Sequence, residues 1–377
     1  MNLLEHEAKD LLQRYGLDVP RGNVFNDRSS LARSLGDWSF PLMVKGQVPI
    51  GGRGKAGAIR KALSPEEALD AFDSIAGMNV KGHIVRSVLI EEFVGYDMEF
   101  YLAMTIDRSL GRPVLVISRK GGMEVESTDA KDIKKIPLDP FDGMTSHDLE
   151  EAIESLGVEG RVASGIKETS KRIWNVFSRS DCELVEINPL IINDGGQVCL
   201  DAKVIINDDS LFRHPELDLD VDREREPFEA ECRRNGFSGV VLGEGVAVVA
   251  NGAGLTMSVL DEIGDAGLRG GAFLDLGGAD DPDRIVKAIT TVGDRTLLPK
   301  IEGLFICIFG GITRCDVVAE GIVAALSVKM FDVPIVIRLR GINESEGRMI
   351  LENAGLIVHS SIEEACAALR IAVGSRS

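Results

Sequence analysis

From residue 246 onwards, the chain repeats one pattern five times: a short apolar run, a turn and a segment with helical periodicity. The apolar runs span residues 246–250, 272–276, 304–309, 335–339 and 356–359. Unbroken apolar runs of this length are typical of strands that are buried on both faces. Five such strands, each followed by a helix, predict a parallel sheet with helices on both sides. Ligands of such sheets bind beyond the carboxyl ends of the strands.

Two turns at those predicted strand ends combine glycine with polar side chains, at Asn251–Gly254 and Gly310–Thr313. Each turn leads into a predicted helix, whose N-terminus favours carboxylates and phosphates. We therefore predict anion sites at both turns, although glycine is also ordinary architecture at the end of a buried strand.

The chain before the repeats follows a different pattern. Ser64-Pro65-Glu66-Glu67 is typical of a helix start, with a capping serine, proline in the first turn and acidic residues behind it. Strands are predicted over 88–93, 98–105 and 114–118, and helices over 1–16, 146–156 and 160–177. The charge-dense stretch 218–235 predicts a solvated connection between two domains.

A glycine-rich loop with basic side chains lies near the N-terminus. Gly51–Gly57 holds four glycines together with Arg53 and Lys55, and an apolar run leads into Lys45 just upstream. Glycine lets backbone N–H groups approach an anion, and the basic side chains match phosphate oxygens. The pattern predicts a polyphosphate-binding loop, although it is neither a P-loop nor a dinucleotide fingerprint. A solvated basic hairpin tip is the alternative.

A predicted hairpin offers a metal site. Apolar-rich runs over 183–193 and 197–206 meet at Asp194-Gly195, a preferred two-residue turn. That turn would set Asn188 opposite Asp201 and Glu186 opposite Lys203, all on one face and about 5 Å apart. A carboxylate and an amide oxygen in this arrangement suit Mg²⁺, with nucleotide phosphates completing its shell. Pro189 predicts an edge strand. Two alternatives remain open. One is an ordinary polar face of the hairpin, and the other is a turn one residue later, at Gly195-Gly196, which would shift the pairing register.

Charge and cysteine content narrow the class of protein. The net charge of −18 argues against a general nucleic-acid binder. The six cysteines lack paired metal-ligand spacing and lie mostly in apolar stretches, so we expect them to be reduced and buried. The first 16 residues resemble neither a signal nor a transit peptide, and no apolar run approaches a membrane span. These features predict a cytoplasmic protein.

Seven segments occur in an order that resembles the β subunits of succinate–CoA ligase (succinyl-CoA synthetase), over nearly the whole chain. They are Glu5–Lys9, Val44–Gln47, Gly51–Gly57, Glu186–Leu190, Leu200–Asp201, Asn251–Leu255 and Phe309–Asp316. The resemblance implies an ATP-grasp nucleotide-binding domain over residues 1–225. It also implies a flavodoxin-like, parallel α/β CoA-ligase domain over residues 236–377.

The resemblance also implies roles for individual residues and a reaction. The implied phosphate contacts are Lys45, Gly52, Arg53 and Gly54. Positions near the base and ribose are Glu91, Val94 and Glu99. The implied Mg²⁺ ligands are Asn188 and Asp201, and the implied succinate site is formed by Asn251, Gly311, Ile312 and Thr313. Glu186 is implied as the acid that orients a phosphohistidine. The reaction joins succinate to CoA with ATP, or possibly GTP, in the tricarboxylic acid cycle.

None of the five histidines lies in a glycine-rich turn at a strand end. The resemblance implies that the phosphorylated histidine and the CoA site belong to a separate α subunit, so that this chain would be half of a heteromeric enzyme. Three alternatives stay open at this point: a malate–CoA ligase subunit, a self-contained ATP-grasp carboxylate–amine ligase, and a non-catalytic nucleotide-binding subunit.

Overall fold

The structure, a computed structural model, describes residues 1–96, 98–122, 132–193, 196–223, 225–278, 281–311 and 313–375. The chain divides into two compact units, Met1–Leu219 and Asp220–Ser377. Within the described ranges, no helix is both long and apolar enough to cross a bilayer.

The first unit contains five α-helices and twelve strands in its described residues. The helices are α1 Glu5–Arg14, α2 Arg28–Ser34, α3 Pro65–Ile75, α4 Ser146–Ser155 and α5 Gly160–Arg179, with short 3-10 turns at Leu35–Asp37, Asp208–Arg213 and Pro215–Leu217. The strands are β1 Gly22–Phe25, β2 Leu42–Gly46, β3 Ile59–Ala62, β4 Asn79–Val80, β5 His83–Ile84, β6 Val88–Glu92, β7 Glu99–Asp107, β8 Arg112–Ser118, β9 Ile133–Pro137, β10 Cys182–Asn193, β11 Gly196–Cys199 and β12 Ala202–Ile206.

A small antiparallel sheet of order β1-β6-β2-β3 carries Lys45 on β2 and the glycine loop between β2 and β3. Helices α2 and α3 pack against it. Helix α3 begins where the sequence predicts, because the Ser64 side chain accepts a hydrogen bond from the Glu67 backbone N–H and Pro65 occupies the first turn. β4 and β5 form a separate two-residue hairpin.

A larger sheet has the order β11-β10-β7-β8-β9. β12 also pairs with β10, along a different stretch of that strand from the one that pairs with β11. The predicted hairpin register is confirmed, because Glu186 faces Lys203 and Leu190 faces Cys199. The turn residues Asp194 and Gly195 lie outside the described residues. The second predicted strand is interrupted at Leu200–Asp201, which separates β11 from β12.

The predicted edge position of Pro189 is wrong. β10 is flanked by β7 on one side and by β11 and β12 on the other. Pairing with β7 shifts register between Ile187 and Leu190. An interior strand therefore tolerates the missing N–H of Pro189 because the ladder is already broken at that point.

The second unit contains six helices and six strands in its described residues. The helices are α6 Pro227–Arg234, α7 Ala253–Asp265, α8 Pro282–Val292, α9 Cys315–Val328, α10 Glu344–Asn353 and α11 Ile362–Gly374. The strands are β13 Ser238–Val241, β14 Gly245–Ala250, β15 Gly270–Asp275, β16 Ile301–Gly310, β17 Ile335–Gly341 and β18 Val358–His359.

The predicted five-stranded parallel sheet is confirmed. β14 to β18 pair in parallel in the order β15-β14-β16-β17-β18. Taken in chain order this is 2-1-3-4-5, the flavodoxin-like arrangement. Its side chains form one apolar cluster with α8 and α9, and a second one with α7 and α11. The sheet is therefore covered on both faces, as expected for strands without polar alternation.

The prediction of a solvated connection over 218–235 is wrong in its second half. Helix α6 starts at Pro227 and buries Phe228 and Cys232 completely in the core of the second unit. β13 follows it and adds an antiparallel edge to β15. Two apolar residues one helical turn apart make this packing contact. They were overlooked in the sequence because charged residues surround them.

Candidate functional site

A cleft of about 1160 Å³ lies in the first unit and is lined by residues of its two larger sheets. Ten residues singled out from the sequence line it: Lys45, Gly52, Arg53, Gly54, Glu91, Val94, Glu99, Glu186, Asn188 and Asp201. The glycine loop and the hairpin are more than a hundred residues apart in the chain, and the fold brings them to one cavity.

A buried ion cluster forms one wall of the cleft. The Lys45 Nζ lies 2.8 Å from a Glu5 carboxylate oxygen and 2.7 Å from a Glu91 oxygen, and it donates to the Leu200 carbonyl at 2.8 Å. Lys9 contacts the same two carboxylates and the same carbonyl. Two ammonium groups therefore share three acceptors, which offsets the repulsion between them.

Arg53 joins this cluster to the hairpin. Its guanidinium contacts Glu5, and its Nη2 lies 2.8 Å and 2.9 Å from the two carboxylate oxygens of Asp201. Only 7% of Arg53 is exposed, so the predicted alternative of a solvated basic hairpin tip does not describe this residue. Gly52, with φ of +87°, turns the loop next to it.

The cluster balances three cations against three carboxylates: Lys9, Lys45 and Arg53 against Glu5, Glu91 and Asp201. Burial alone would raise the pKa of Glu5, but the charges of Arg53, Lys45 and Lys9 hold that pKa well below its ordinary value. Burial likewise opposes the charged form of Lys45, and Glu5, Glu91 and Asp201 reverse this and raise its pKa. Glu5 and Lys45 are therefore both charged at neutral pH.

The backbone of Gly122 holds the side chain of Asn188. The Asn188 Oδ1 accepts a hydrogen bond from the Gly122 N–H, and its Nδ2 donates to the Gly122 carbonyl at 3.1 Å. The Asn188 N–H in turn donates to the Asp201 carbonyl at 3.2 Å, across the break between β11 and β12. The amide oxygen keeps a second lone pair for a ligand.

Glu186 lies two residues before Asn188 on β10 and also lines the cleft. The Tyr101 hydroxyl, on the neighbouring β7, donates to Glu186 at 3.4 Å. Burial first, and then the charge of Glu186, raises the pKa of Tyr101. The tyrosine therefore stays protonated and orients the Glu186 carboxylate.

Apolar and aromatic residues line another part of the cleft. Phe93, Val94 and Tyr96 follow β6, and Glu99 begins β7. The Lys61 Nζ lies 3.6 Å from the centre of the Phe93 ring. A part-apolar wall next to carboxylates is suited to a ring system with polar edges.

The donor set at the hairpin fits Mg²⁺, although not as a complete cage. Asn188 and Asp201 offer hard oxygen atoms, the ligand type that Mg²⁺ prefers. Among the described residues, no group of three or more His, Cys, Asp or Glu side chains converges as a metal site. Mg²⁺ commonly takes one or two protein oxygens and completes its shell with phosphate and water. The residues present match that mode.

In the second unit, the predicted anion turns lie at the carboxyl ends of β14 and β16, the two strands that flank the topological switch point. The Asn251 side chain bonds the Phe309 backbone twice, from Nδ2 to the carbonyl at 2.9 Å and from the Phe309 N–H to Oδ1 at 2.8 Å. It therefore ties one turn to the other. Thr313 is only 2% exposed, and Ile312 lies outside the described residues.

The two helices that follow these turns differ at their starts. Gly252 precedes α7 and makes no side-chain capping bond. Arg314 precedes α9 and makes none either, but the Cys315 N–H in the first turn of α9 donates to the Ile342 carbonyl at 2.9 Å. Gly311 between them has open space around it. The uncapped start of α7, next to the turn that contains Gly311, makes this edge suitable for an anion.

All five histidines lie in the described part of the chain, and none of them lines the cleft. His214, for example, sits between Asp181 and Glu216, with its Nε2 2.7 Å from Asp181.

Sequence reasoning missed Glu5 and Lys9. The signal was present, because both fall on the buried face of α1 together with Ala8 and Leu12. Two charged residues on an apolar helix face predict partners inside the fold.

Comparison with known proteins assigns both units to families. Residues 2–192 match the ATP-grasp domain and residues 249–372 match the CoA-ligase family. The chain is 38% identical to the ADP-forming succinate–CoA ligase subunit β of Ignicoccus hospitalis, over 97% of each chain. It is 36% identical to the GDP-forming subunit β of Thermus thermophilus, over 99% of each chain.

Among solved structures, the chain resembles ATP citrate lyase from Methanothrix soehngenii, with a TM-score of 0.77, 20% identity and 99% of each chain covered. That likeness concerns the fold. The predicted succession of an ATP-grasp domain and a CoA-ligase domain is confirmed. The chain belongs to the family of succinate–CoA ligase β subunits.

Proposed function

We propose that this chain is the nucleotide-binding β subunit of a heteromeric succinate–CoA ligase of the tricarboxylic acid cycle. The reaction converts ATP, succinate and CoA reversibly into ADP, phosphate and succinyl-CoA. One observation carries the proposal: Lys45 and Arg53 meet Asn188 and Asp201 at a single cleft that is large enough for a nucleotide.

Lys45, Arg53 and the backbone of Gly52 and Gly54 contact the phosphates. Their task is positioning and charge neutralisation, which account for most of the catalysis in phosphoryl transfer. The cluster around Glu5 holds Lys45 in place before substrate arrives, so its ammonium needs little reorganisation on binding. Glu91, Val94 and Glu99 surround the base and ribose.

Asn188 and Asp201 would hold Mg²⁺ together with the nucleotide phosphates. The metal would supply charge neutralisation to the bound nucleotide. The Arg53 Nη2 lies 2.8 Å and 2.9 Å from the two Asp201 oxygens. A metal held by Asp201 would take over part of that contact, and Arg53 would turn towards the phosphates.

Succinate binds in the second unit, at the turns that contain Asn251, Gly311, Ile312 and Thr313. The uncapped start of α7 supplies N–H donors to its carboxylate. The hydrogen bonds from Asn251 to Phe309 support this assignment, because they fix the two turns relative to each other.

The phosphate passes through a histidine on an α subunit, which also binds CoA. The positions of this chain's own histidines support this step, since none of them lines the cleft. Glu186, held by Tyr101, orients the incoming phosphohistidine.

The test measures succinate- and CoA-dependent ADP formation by the chain alone and after co-expression with an α subunit. We expect turnover only in the complex, with Mg²⁺ required. A Lys45→Met complex should lose activity, whereas a Glu150→Gln complex, altered at an exposed ion pair of α4, should keep it.

Four results would contradict the proposal. Full activity of the chain alone would remove the need for an α subunit. A preference for malate over succinate, or for an amine over CoA, would change the acid or the acceptor. Stabilisation by Mg-nucleotide without turnover in any partnered assay would indicate a non-catalytic subunit.

A further inference from the structure

A small hairpin places a lysine against the glycine loop. β4 and β5 are joined by Lys81-Gly82, with φ of +51° and +95°. The Asn79 side chain accepts a hydrogen bond from the Gly82 N–H at 2.8 Å and fixes this turn. Lysine rarely adopts positive φ, so the position is one where Asn or Gly would be more stable.

The Lys81 ammonium reaches the backbone of the glycine loop. Its Nζ donates to the Gly51 carbonyl at 3.3 Å. A Cβ atom added to Gly52 would lie 3.0 Å from the same nitrogen. Lys81 lines the same cleft as Lys45 and Arg53.

Lys81 differs from Lys45 and Arg53 in its carboxylate partners. Lys45 and Arg53 are each matched by two carboxylates in the buried cluster. Within the residues that the structure describes, no carboxylate forms an ion pair with Lys81. A polyphosphate entering this cleft therefore meets, in Lys81, a cation whose charge is not already neutralised.

We propose that Lys81 is a phosphate-contacting residue that links the glycine loop to the bound polyphosphate. An ammonium group has three N–H donors, and the Gly51 carbonyl occupies one of them. The other two donate to phosphate oxygens, so that one side chain binds both the loop and the anion. This inference rests on the proposed nucleotide site and adds to it a residue outside the glycine loop itself.

The test compares binding of Mg-ATP, Mg-ADP and adenosine to the full chain by isothermal titration calorimetry. The variants are Lys81→Met, Lys81→Arg and the control Lys171→Met, at an exposed lysine of α5 that does not line the cleft. We expect Lys81→Met to weaken Mg-ATP binding about 5- to 10-fold and to leave adenosine binding unchanged. Lys81→Arg, which keeps the charge, should stay within about 2-fold of the native chain.

Salt dependence separates a charge contact from a purely structural one. Affinity of the native chain for Mg-ATP should fall more steeply with ionic strength than that of Lys81→Met, because the variant has lost one screened interaction. Equal affinities and equal salt slopes would overturn the inference. A Lys81→Met defect that is as large for adenosine as for Mg-ATP would also overturn it, by pointing to a distorted loop. If the native chain binds no Mg-nucleotide at all, the proposed function fails and this inference with it.

Discussion

Replacing Glu5 by glutamine tests the ion cluster on which the nucleotide cleft is built. The substitution keeps the shape of the side chain and removes its charge, so that Lys9, Lys45 and Arg53 face only Glu91 and Asp201. Glu5 is 2% exposed and Lys45 is 6% exposed, so water cannot replace the missing carboxylate. Breaking a buried ion pair on one side costs about 3–5 kcal/mol.

For a unit of this size, such a loss lowers the unfolding midpoint by about 6–20 °C. Tryptophan fluorescence reports this unit selectively, because both tryptophans of the chain, Trp38 and Trp174, belong to it. The control is Glu150→Gln, which removes an exposed carboxylate that lies 3.0 Å from Lys167. Its effect should stay within about 1 kcal/mol.

The pH dependence gives a second signature. The pKa of Glu5 is lowered in the folded chain, so its contribution is complete above the ordinary value of 4.5 and is lost as pH falls through the folded value. The difference in unfolding free energy between the native chain and Glu5→Gln should therefore be constant from about pH 5 to pH 8. It should narrow below about pH 4. Two results would refute the reasoning. One is a loss of unfolding free energy in Glu5→Gln that is no larger than the loss in Glu150→Gln. The other is a loss in Glu5→Gln that stays the same at acidic pH.

Three further predictions follow from single contacts. Asp201→Asn should lower turnover of the complex by at least about 100-fold and raise the Mg²⁺ concentration it needs; normal activity at low Mg²⁺ would contradict its role as ligand. Gly122→Ala should raise KM for Mg-nucleotide, because an added Cβ would lie 2.8 Å from the Glu99 carboxylate, at a φ of +77°. The control is Gly111→Ala, at a φ of +62° with open space around it. This control should only lower stability, by about 1 kcal/mol. All six cysteines are free and buried, and burial raises the pKa of Cys199 to about 12; a thiol reagent at pH 8 should label none of them in the native chain and all of them after denaturation, and rapid native labelling would contradict this.

The expected burial of the cysteines is confirmed. It was predictable because cysteine behaves as a small apolar residue within apolar strands. The buried strands of the second unit were predictable for a similar reason. Their runs are apolar on both faces, and only a covered parallel sheet buries both.

The hairpin shows where prediction from spacing stops. The predicted Asp194-Gly195 turn set which residues of β10 face Asp201 and Lys203, and the strand period of two placed them on one face. Spacing could not reveal that β10 is an interior strand, nor that its ladder breaks beside Asn188 and Asp201. Strand order depends on partners that are distant in the chain.

By itself, the sequence determined the local elements, the parallel sheet and the chemical types gathered at the glycine loop and the hairpin. These follow from periodicity, turn preference and side-chain chemistry, which act over a few residues. Only the tertiary structure decided that Glu5 on the first helix is the counter-ion of Lys45 and Arg53, and that Lys9 pairs with Glu5 and Glu91 in the same cluster. It also decided that Asn251 bonds the turn that contains Phe309 and that Lys81 reaches Gly51. Such contacts join side chains that are distant in sequence, and burial sets their strength by removing the water that would otherwise screen them.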